Sequence, residues 1–252
     1  MPSRTPAEPT TARAVIRELR AKADPGQLDG MARFGIRTNR TLGGIGLPAL
    51  RAMAKRIGRS HEIADGLWTS GIHEARLLAA MVDDPSAVSE EQMEAWAADF
   101  DSWDVVDGTV SSLFDKTPFA WAKVVEWSSR EEEFVKRAAF AMMAALAVHD
   151  KKASDAAFVA LLPIIEREAG DPRNFVRKAV NWTLRQIGKR NAVLNAKAIA
   201  TAERIHATGP RPAKWVASDA LRELRSDPVQ TRLRVSAERR PTPVSRRRPP
   251  PG

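Results

Sequence analysis

The stretch FVKRAAFAMMAAL, residues 134–146, returns 41 residues later as FVRKAVNWTLRQI, residues 175–187. Both begin Phe-Val, place two basic residues in the next three positions, reach Ala and continue as an apolar ladder. That ladder has the spacing of a helix buried along one face. KWVASDALREL, residues 214–224, is a weaker third copy, and IHEARLLAAMV, residues 72–82, has the same shape upstream. A repeat near 40 residues with two helices per unit is the signature of stacked helical hairpins of HEAT or armadillo type, because one hairpin cannot bury its apolar face without neighbours. The expected fold is all-α, a right-handed superhelix (solenoid) of HEAT/ARM-like antiparallel hairpins. The second helices of the units would line its concave face.

The rest of the chain reads as helix and little else. Tyr is absent, β-branched alternation is rare, and Ala-rich amphipathic stretches dominate. TARAVIRELRAKA opens on Thr caps, LPALRAMAKRI follows a Gly-rich turn, and SEEQMEAWAADF has a Ser89 cap with acids in its first turn. About eleven such segments are separated by short loops containing Pro, Asp or Gly. The expected organisation is a single repeat domain over residues 11–235, a disordered N-terminus at 1–10 and a disordered basic Pro/Arg-rich tail at 236–252.

Charge is unevenly placed. Residues 171–252 hold 19 Lys/Arg against 6 Asp/Glu, and residues 83–133 hold 14 Asp/Glu against 3 Lys/Arg. The last 14 residues carry five of those arginines, so the basic excess extends well into the repeats. One surface should attract polyanions and another repel them, and a basic C-terminal half reads first as nucleic-acid binding. No cysteine is present, which excludes disulfides and thiolate metal sites. The N-terminal stretch has no apolar signal-peptide core. The apolar run AAFAMMAALAV is far shorter than the roughly 20 residues of a membrane helix. A soluble, monomeric, cytoplasmic protein that makes no membrane contact is expected.

Conventional catalytic and metal motifs are missing: there is no P-loop, no GxGxxG and no HExxH. His61, His73, His149 and His206 are scattered and read as surface or interface residues. What remains is Trp, Asp and Arg on the repeat helices. In FDSWDVVD, residues 100–107, Trp103 and Asp107 are four apart and share a helix face. Arg137 opens the next repeat helix, and Trp182 with Arg185 lies on the one after. The repeat alignment makes Arg137 and Lys178 equivalent. Lys136, Arg177, Arg185, Lys189 and Arg190 extend a basic row that would track a phosphate backbone. Plainer readings stand beside these. Trp182 reads as core as readily as site, and Trp68, Trp96, Trp121, Trp127 and Trp215 read as core. Asp104 and Asp107 follow Ser102 near a helix start, where acids favour the helix dipole anyway. Residues alone leave open a solenoid that binds nucleic acid and one that serves as a protein scaffold, the acidic segment favouring the second.

LWTSGIHEARLLAAM, SWDVVD, FVKRAAF and FVRKAVNWTLRQIGKRN, in this order between about Gly46 and Arg225, together resemble the AlkD-like DNA alkylation repair proteins, which are built from HEAT-like repeats. The resemblance implies a monofunctional DNA glycosylase, a hydrolase releasing cationic alkylated purines such as 3-methyladenine and 7-methylguanine from duplex DNA. It implies that Asp107 is the catalytic carboxylate and that Trp103 and Trp182 flank the lesion's deoxyribose. Arg137 would contact a phosphate near the lesion. The enzyme typified by the family name does not insert the base into a pocket, and the mechanism calls for no metal or other cofactor. Three departures are visible: Asn181 stands where a small residue is expected, the tract after Leu184 reads RQIGKR where an aromatic-containing run is expected, and the chain has no Tyr with which to make an N-terminal contact.

Overall fold

The structure is a computed structural model that describes residues 10–238. The expectations for residues 1–9 and 239–252 lie outside the described residues. Among those described, the regular elements are helices: α1 (Ala12–Ala21), α2 (Leu28–Arg33), α3 (Leu47–Ile57), α4 (His61–Thr69), α5 (His73–Val82), α6 (Glu90–Ala98), α7 (Trp103–Ser112), α8 (Ala120–Trp127), α9 (Glu133–His149), α10 (Asp155–Glu168), α11 (Asn174–Gly188), α12 (Ala192–Thr208), α13 (Arg211–Leu224) and α14 (Asp227–Glu238). Short 3-10 turns at Pro25–Gln27 and Phe114–Lys116 join them. None of these helices is long and apolar enough to cross a membrane.

Packing follows the repeat. Helices pair as hairpins, α4 with α5, α8 with α9, α10 with α11 and α12 with α13. The second helices stack on one another as an inner row, α3–α5–α7–α9–α11–α13. The fold is thus the expected stack of HEAT-like hairpins. α9 sits mid-row and is buried on nearly all sides from Ala138 to Ala147, so its alanines let α7, α8 and α11 approach closely. Side chains stitch the stack. Thr183 donates to the Phe140 carbonyl at 2.6 Å, and Asn181 donates to the Val216 carbonyl at 3.0 Å. That bond gives the polar Asn181 its place: it is buried, and its amide ties α11 to α13.

At the C-terminal end of the described residues α14 runs to Glu238 and buries Val229 and Leu233. One expectation needs correction. Trp215 is not core. It is 41% exposed, and the Arg177 guanidinium lies over its ring at 4.8 Å. Ser102 holds the N-cap position of α7 but makes no capping hydrogen bond with its side chain.

Residues 22–46 form a strap folded back across the inner row, tied by interactions distant in sequence. Glu74, buried at the start of α5, accepts from the Thr41 hydroxyl at 2.5 Å and from the Leu42 and Gly43 amides at 2.9 Å each. Gly43 has φ +77° and lies so close to the Asp24 carbonyl that a Cβ would stand 2.4 Å from it, so no other residue fits the turn. Replacing Glu74 with Gln keeps an oxygen for Thr41 and Gly43 but sets the amide NH2 against the buried Leu42 N–H, and removes the charge that strengthens all three bonds. Glu74→Gln should lower stability to urea by about 2–3 kcal/mol and speed hydrogen exchange at Leu42 and Gly43.

Candidate functional site

The strap and the inner row enclose the site. Trp103 and Asp107 lie on α7, one turn apart, Arg137 near the start of α9, and Trp182 in the middle of α11. Trp103, Asp107 and Trp182 line one cavity of about 1090 Å³, with the strap as its far wall. Trp182 is half-buried: it packs against the core and also lines the cavity. The Trp103 indole N–H donates to the Phe34 carbonyl of the strap at 2.9 Å, which fixes the plane of the ring.

Arg137 organises the carboxylate. Its Nε and Nη2 donate to the two Asp107 oxygens at 3.0 and 2.7 Å, and its Nη1 donates to the Phe175 carbonyl at 2.6 Å. The guanidinium also lies over the Trp103 ring, 5.8 Å from its centroid. Arg137 is only 6% exposed, so the geometry makes it the holder of Asp107 rather than a free phosphate contact. Burial pushes the Asp107 carboxyl above its ordinary value; Arg137 opposes the rise and Asp104 adds to it. The two-pronged fork is satisfied in full only by an ionised carboxylate. The side chain keeps 22% of its surface open toward the cavity.

Behind Asp107 sits a second pair that sequence reasoning missed. The His73 imidazole Nε2 meets Asp104 at 2.9 Å, and both residues line the cavity. Burial works against the His73 charge, but Asp104, with the charges of Glu74 and Asp101, outweighs it and the His73 pKa is raised; burial works against the Asp104 charge too, and His73, with Ser102, holds its carboxyl below the ordinary value. HisGlu at the start of α5 was visible only as part of a repeat shape, since its partners are 31 residues away in either direction.

The basic row divides in two. Lys178 is exposed and has no acidic partner among the described residues, and Arg177 leans on Trp215 beside it. Arg185 and Lys189 are instead held by Glu223 of α13, Lys189 at 2.5 Å, with Asp219 at 3.9 Å from Arg185. Lys136 points away from the site to Glu168 at 2.7 Å. Arg190 caps the end of α9 and the following loop, donating to the carbonyls of Ala147, Asp150 and Ala153 at 2.6–3.1 Å, and stacks on Phe158. The structure therefore does not bring Lys136 or Arg190 to the concave side. Unpaired cations that sequence reasoning missed lie on the strap and α3: Arg33, Arg37, Arg40 and Arg51 are exposed and have no acidic partner among the described residues. Arg33 adjoins Phe34, whose ring is 76% exposed, and Arg51 lines the same cavity as Phe34.

The raised His73 pKa fixes the sign of a pH effect. The stability it contributes is fully present below its unfolded value of 6.5 and is lost as pH rises through the folded value. The stability difference between wild type and His73→Gln in urea denaturation should therefore be larger at about pH 6 than at about pH 8.5.

Among proteins of curated function, none matches this sequence. A solved structure described as one of "a new family of proteins related to the HEAT-like repeat DNA glycosylases with affinity for branched DNA structures" superposes with a TM-score of 0.70 at 17% identity, over 84% of this chain and 95% of that one. That likeness shows the fold. The family described as DNA alkylation repair enzyme matches residues 15–224. That span runs from within α1 to the end of α13 and contains the whole cavity wall. The chain belongs to the DNA alkylation repair enzyme family.

Proposed function

We propose that the protein is a monofunctional DNA glycosylase that hydrolyses the N-glycosidic bond of cationic alkylated purines, of the 3-methyladenine and 7-methylguanine class, in duplex DNA. The observation that carries this reading is the Asp107 carboxylate, locked by Arg137 and open to a cavity that Trp103 and Trp182 also line. An N-alkylated purine is already a cation and leaves without a general acid. The C1′–N bond breaks with its electron pair going to the base, whose positive charge is thereby neutralised. An oxocarbenium-like sugar is left. Asp107 stabilises that cation and accepts a hydrogen bond from the water that adds to C1′, the released proton passing to the carboxylate and then to solvent. The indole faces add attraction of about 0.5–2 kcal/mol each toward the positive sugar. The protein works as a cytoplasmic monomer in this reading, with phosphates held by exposed cations at the rim.

Asp107→Asn keeps the side chain's size but leaves the buried Arg137 charge unmatched, so its folding is verified by circular dichroism before activity is compared. Release of 3-methyladenine and 7-methylguanine from methylated duplex should fall by about two to three orders of magnitude, with DNA affinity retained. Undiminished release would remove Asp107 from the chemistry. A second reading, recognition of branched DNA without catalysis, draws on the solved structure of similar fold. It predicts base release from neither lesion and tighter binding to a four-way junction than to a linear duplex.

The phosphate contacts have their own test. Arg33→Ala and Arg37→Ala should each reduce the slope of log affinity against log salt by about one. Arg190→Ala and Lys136→Ala should leave that slope unchanged and lower the urea midpoint instead, because their partners are carbonyls and acids of the protein itself.

A further inference from the structure

We infer that Trp215, with Arg177 against its ring and unpaired cations around it, is a stacking site for an unpaired nucleotide of a DNA strand, apart from the cavity that Asp107 lines. The inference takes DNA as the partner, in keeping with membership of the DNA alkylation repair enzyme family, and does not depend on base release.

The repeat singles Trp215 out. The inner helices α9, α11 and α13 carry an aromatic residue at equivalent places near their starts, Phe134, Phe175 and Trp215. The rings of Phe134 and Phe175 pack on each other, 5.6 Å between centroids. The strap lies against Phe175, where a Cβ on Gly35 would stand 3.0 Å from the ring. Both phenylalanines are partly buried, whereas Trp215 continues the row as an exposed residue with no aromatic neighbour among the described residues. The indoles of Trp68, Trp103, Trp121 and Trp127 each donate to an acceptor in the protein. The Trp215 N–H has no acceptor among the described residues. Neither packing nor hydrogen bonding within the fold accounts for a tryptophan at this place.

The ring is held in position. The Arg177 guanidinium lies over it at 4.8 Å from the centroid, an attraction of about 0.5–1 kcal/mol at an exposed position. Lys178 follows Arg177 on α11, Lys214 adjoins Trp215, and Arg211 stands one turn before it on the same face of α13. These four cations have no acidic partner among the described residues, and Lys178, Arg211 and Lys214 are exposed. The nearest acid along α13 is Asp219, one turn after Trp215, and it is shared by Arg185 and Arg222.

Cations alone would serve a duplex backbone, and a duplex keeps the faces of its bases stacked inside, where an exposed indole cannot reach them. An unpaired base has a free π-face. Aromatic stacking beside a positively charged track is how single strands are held without reading their sequence. A protein partner would have to be strongly acidic at this point, whereas a DNA strand brings both the charge and the flat face. The patch is also separate from the cavity, whose walls do not include Trp215. On α11 Arg177 precedes Trp182 by about 8 Å of helix rise, and α13 packs on α11 at about 8–10 Å. Trp215 thus stands roughly 10–15 Å from Trp182, about three or four nucleotides along a stacked strand.

The test compares two forked duplexes of equal length by fluorescence anisotropy. In one, each unpaired arm is about five thymidines; in the other, the arms are the same number of abasic nucleotides, so phosphate charge is equal and only the bases differ. Wild type is expected to bind the thymidine fork about tenfold more tightly, the gain from one stacked base. Trp215→Ala should bring that ratio to about one, and Trp215→Phe should keep most of it. Melts followed by circular dichroism verify that both variants fold. A 2-aminopurine placed in the arm, whose fluorescence falls on stacking, should be quenched by wild type and by Trp215→Phe but not by Trp215→Ala. Equal affinity of wild type for the two forks, or a ratio that survives Trp215→Ala, overturns the inference and leaves the glycosylase reading standing. Binding of neither fork overturns DNA as the partner of this patch, and the inference with it.

Discussion

The site depends on one buried ion pair. Arg137 reaches from α9 to Asp107 on α7, to the Phe175 carbonyl at the start of α11, and to the face of Trp103. Three consecutive inner helices are thereby held in one register by a single guanidinium. A buried ion pair is poor value as a stabiliser, since desolvating two charges costs about as much as their attraction returns. Its strength lies in geometry. Two donors of one rigid fork leave the carboxylate one orientation, and that orientation points its remaining surface at the cavity. Removing either partner would leave an unmatched charge in the interior, so stability and site are linked at this point.

The acidic segment that argued for a protein-binding surface is largely consumed inside the fold. Asp99 accepts from the Trp68 indole at 2.9 Å and Glu94 from the Trp127 indole at 2.7 Å. Glu90, Glu94 and Glu126 surround the buried Lys123; burial opposes its charge, and the three carboxylates together raise its pKa nonetheless. Buried Trp and Lys need such acceptors. A sequence count treats these acids as free charge, whereas in the structure they are partners of the core. The same holds on the basic side, where Glu223 and Asp219 take up Arg185 and Lys189.

What was legible in the sequence follows from the range of each interaction. The hairpin stack was readable because helix periodicity and a 41-residue repeat are local and redundant. Asp107 and Trp103 were readable as neighbours because a helix puts residues four apart side by side, and the roles proposed for them rest on the family likeness. Arg190 and Lys136 were misread because helix spacing gives a direction but not the carbonyls or acids waiting there. Trp215 was misread because a large aromatic ring is core by default, while here a neighbouring arginine covers it. The strap was illegible: its glycines advertise turns, but its position rests on Glu74, Trp103 and Asp101, all far along the chain. The wall of the candidate site thus came from the segment with the weakest pattern.

The two kinds of charge are sorted by depth, and this sorting fits a cationic ligand attached to an anionic polymer. Carboxylates Glu74, Asp104 and Asp107 lie inside, each fixed by hydrogen bonds, while Arg33, Arg37, Arg40, Arg51 and Lys178 stand exposed at the surface. Exposed cations act through high dielectric and are screened by salt, so they contribute attraction without demanding register. Interior carboxylates act through low dielectric, where a unit charge counts for far more and water cannot blunt it. In the proposed glycosylase reading, attraction to the backbone is therefore general, and the fixed carboxylates inside supply the local part of the discrimination.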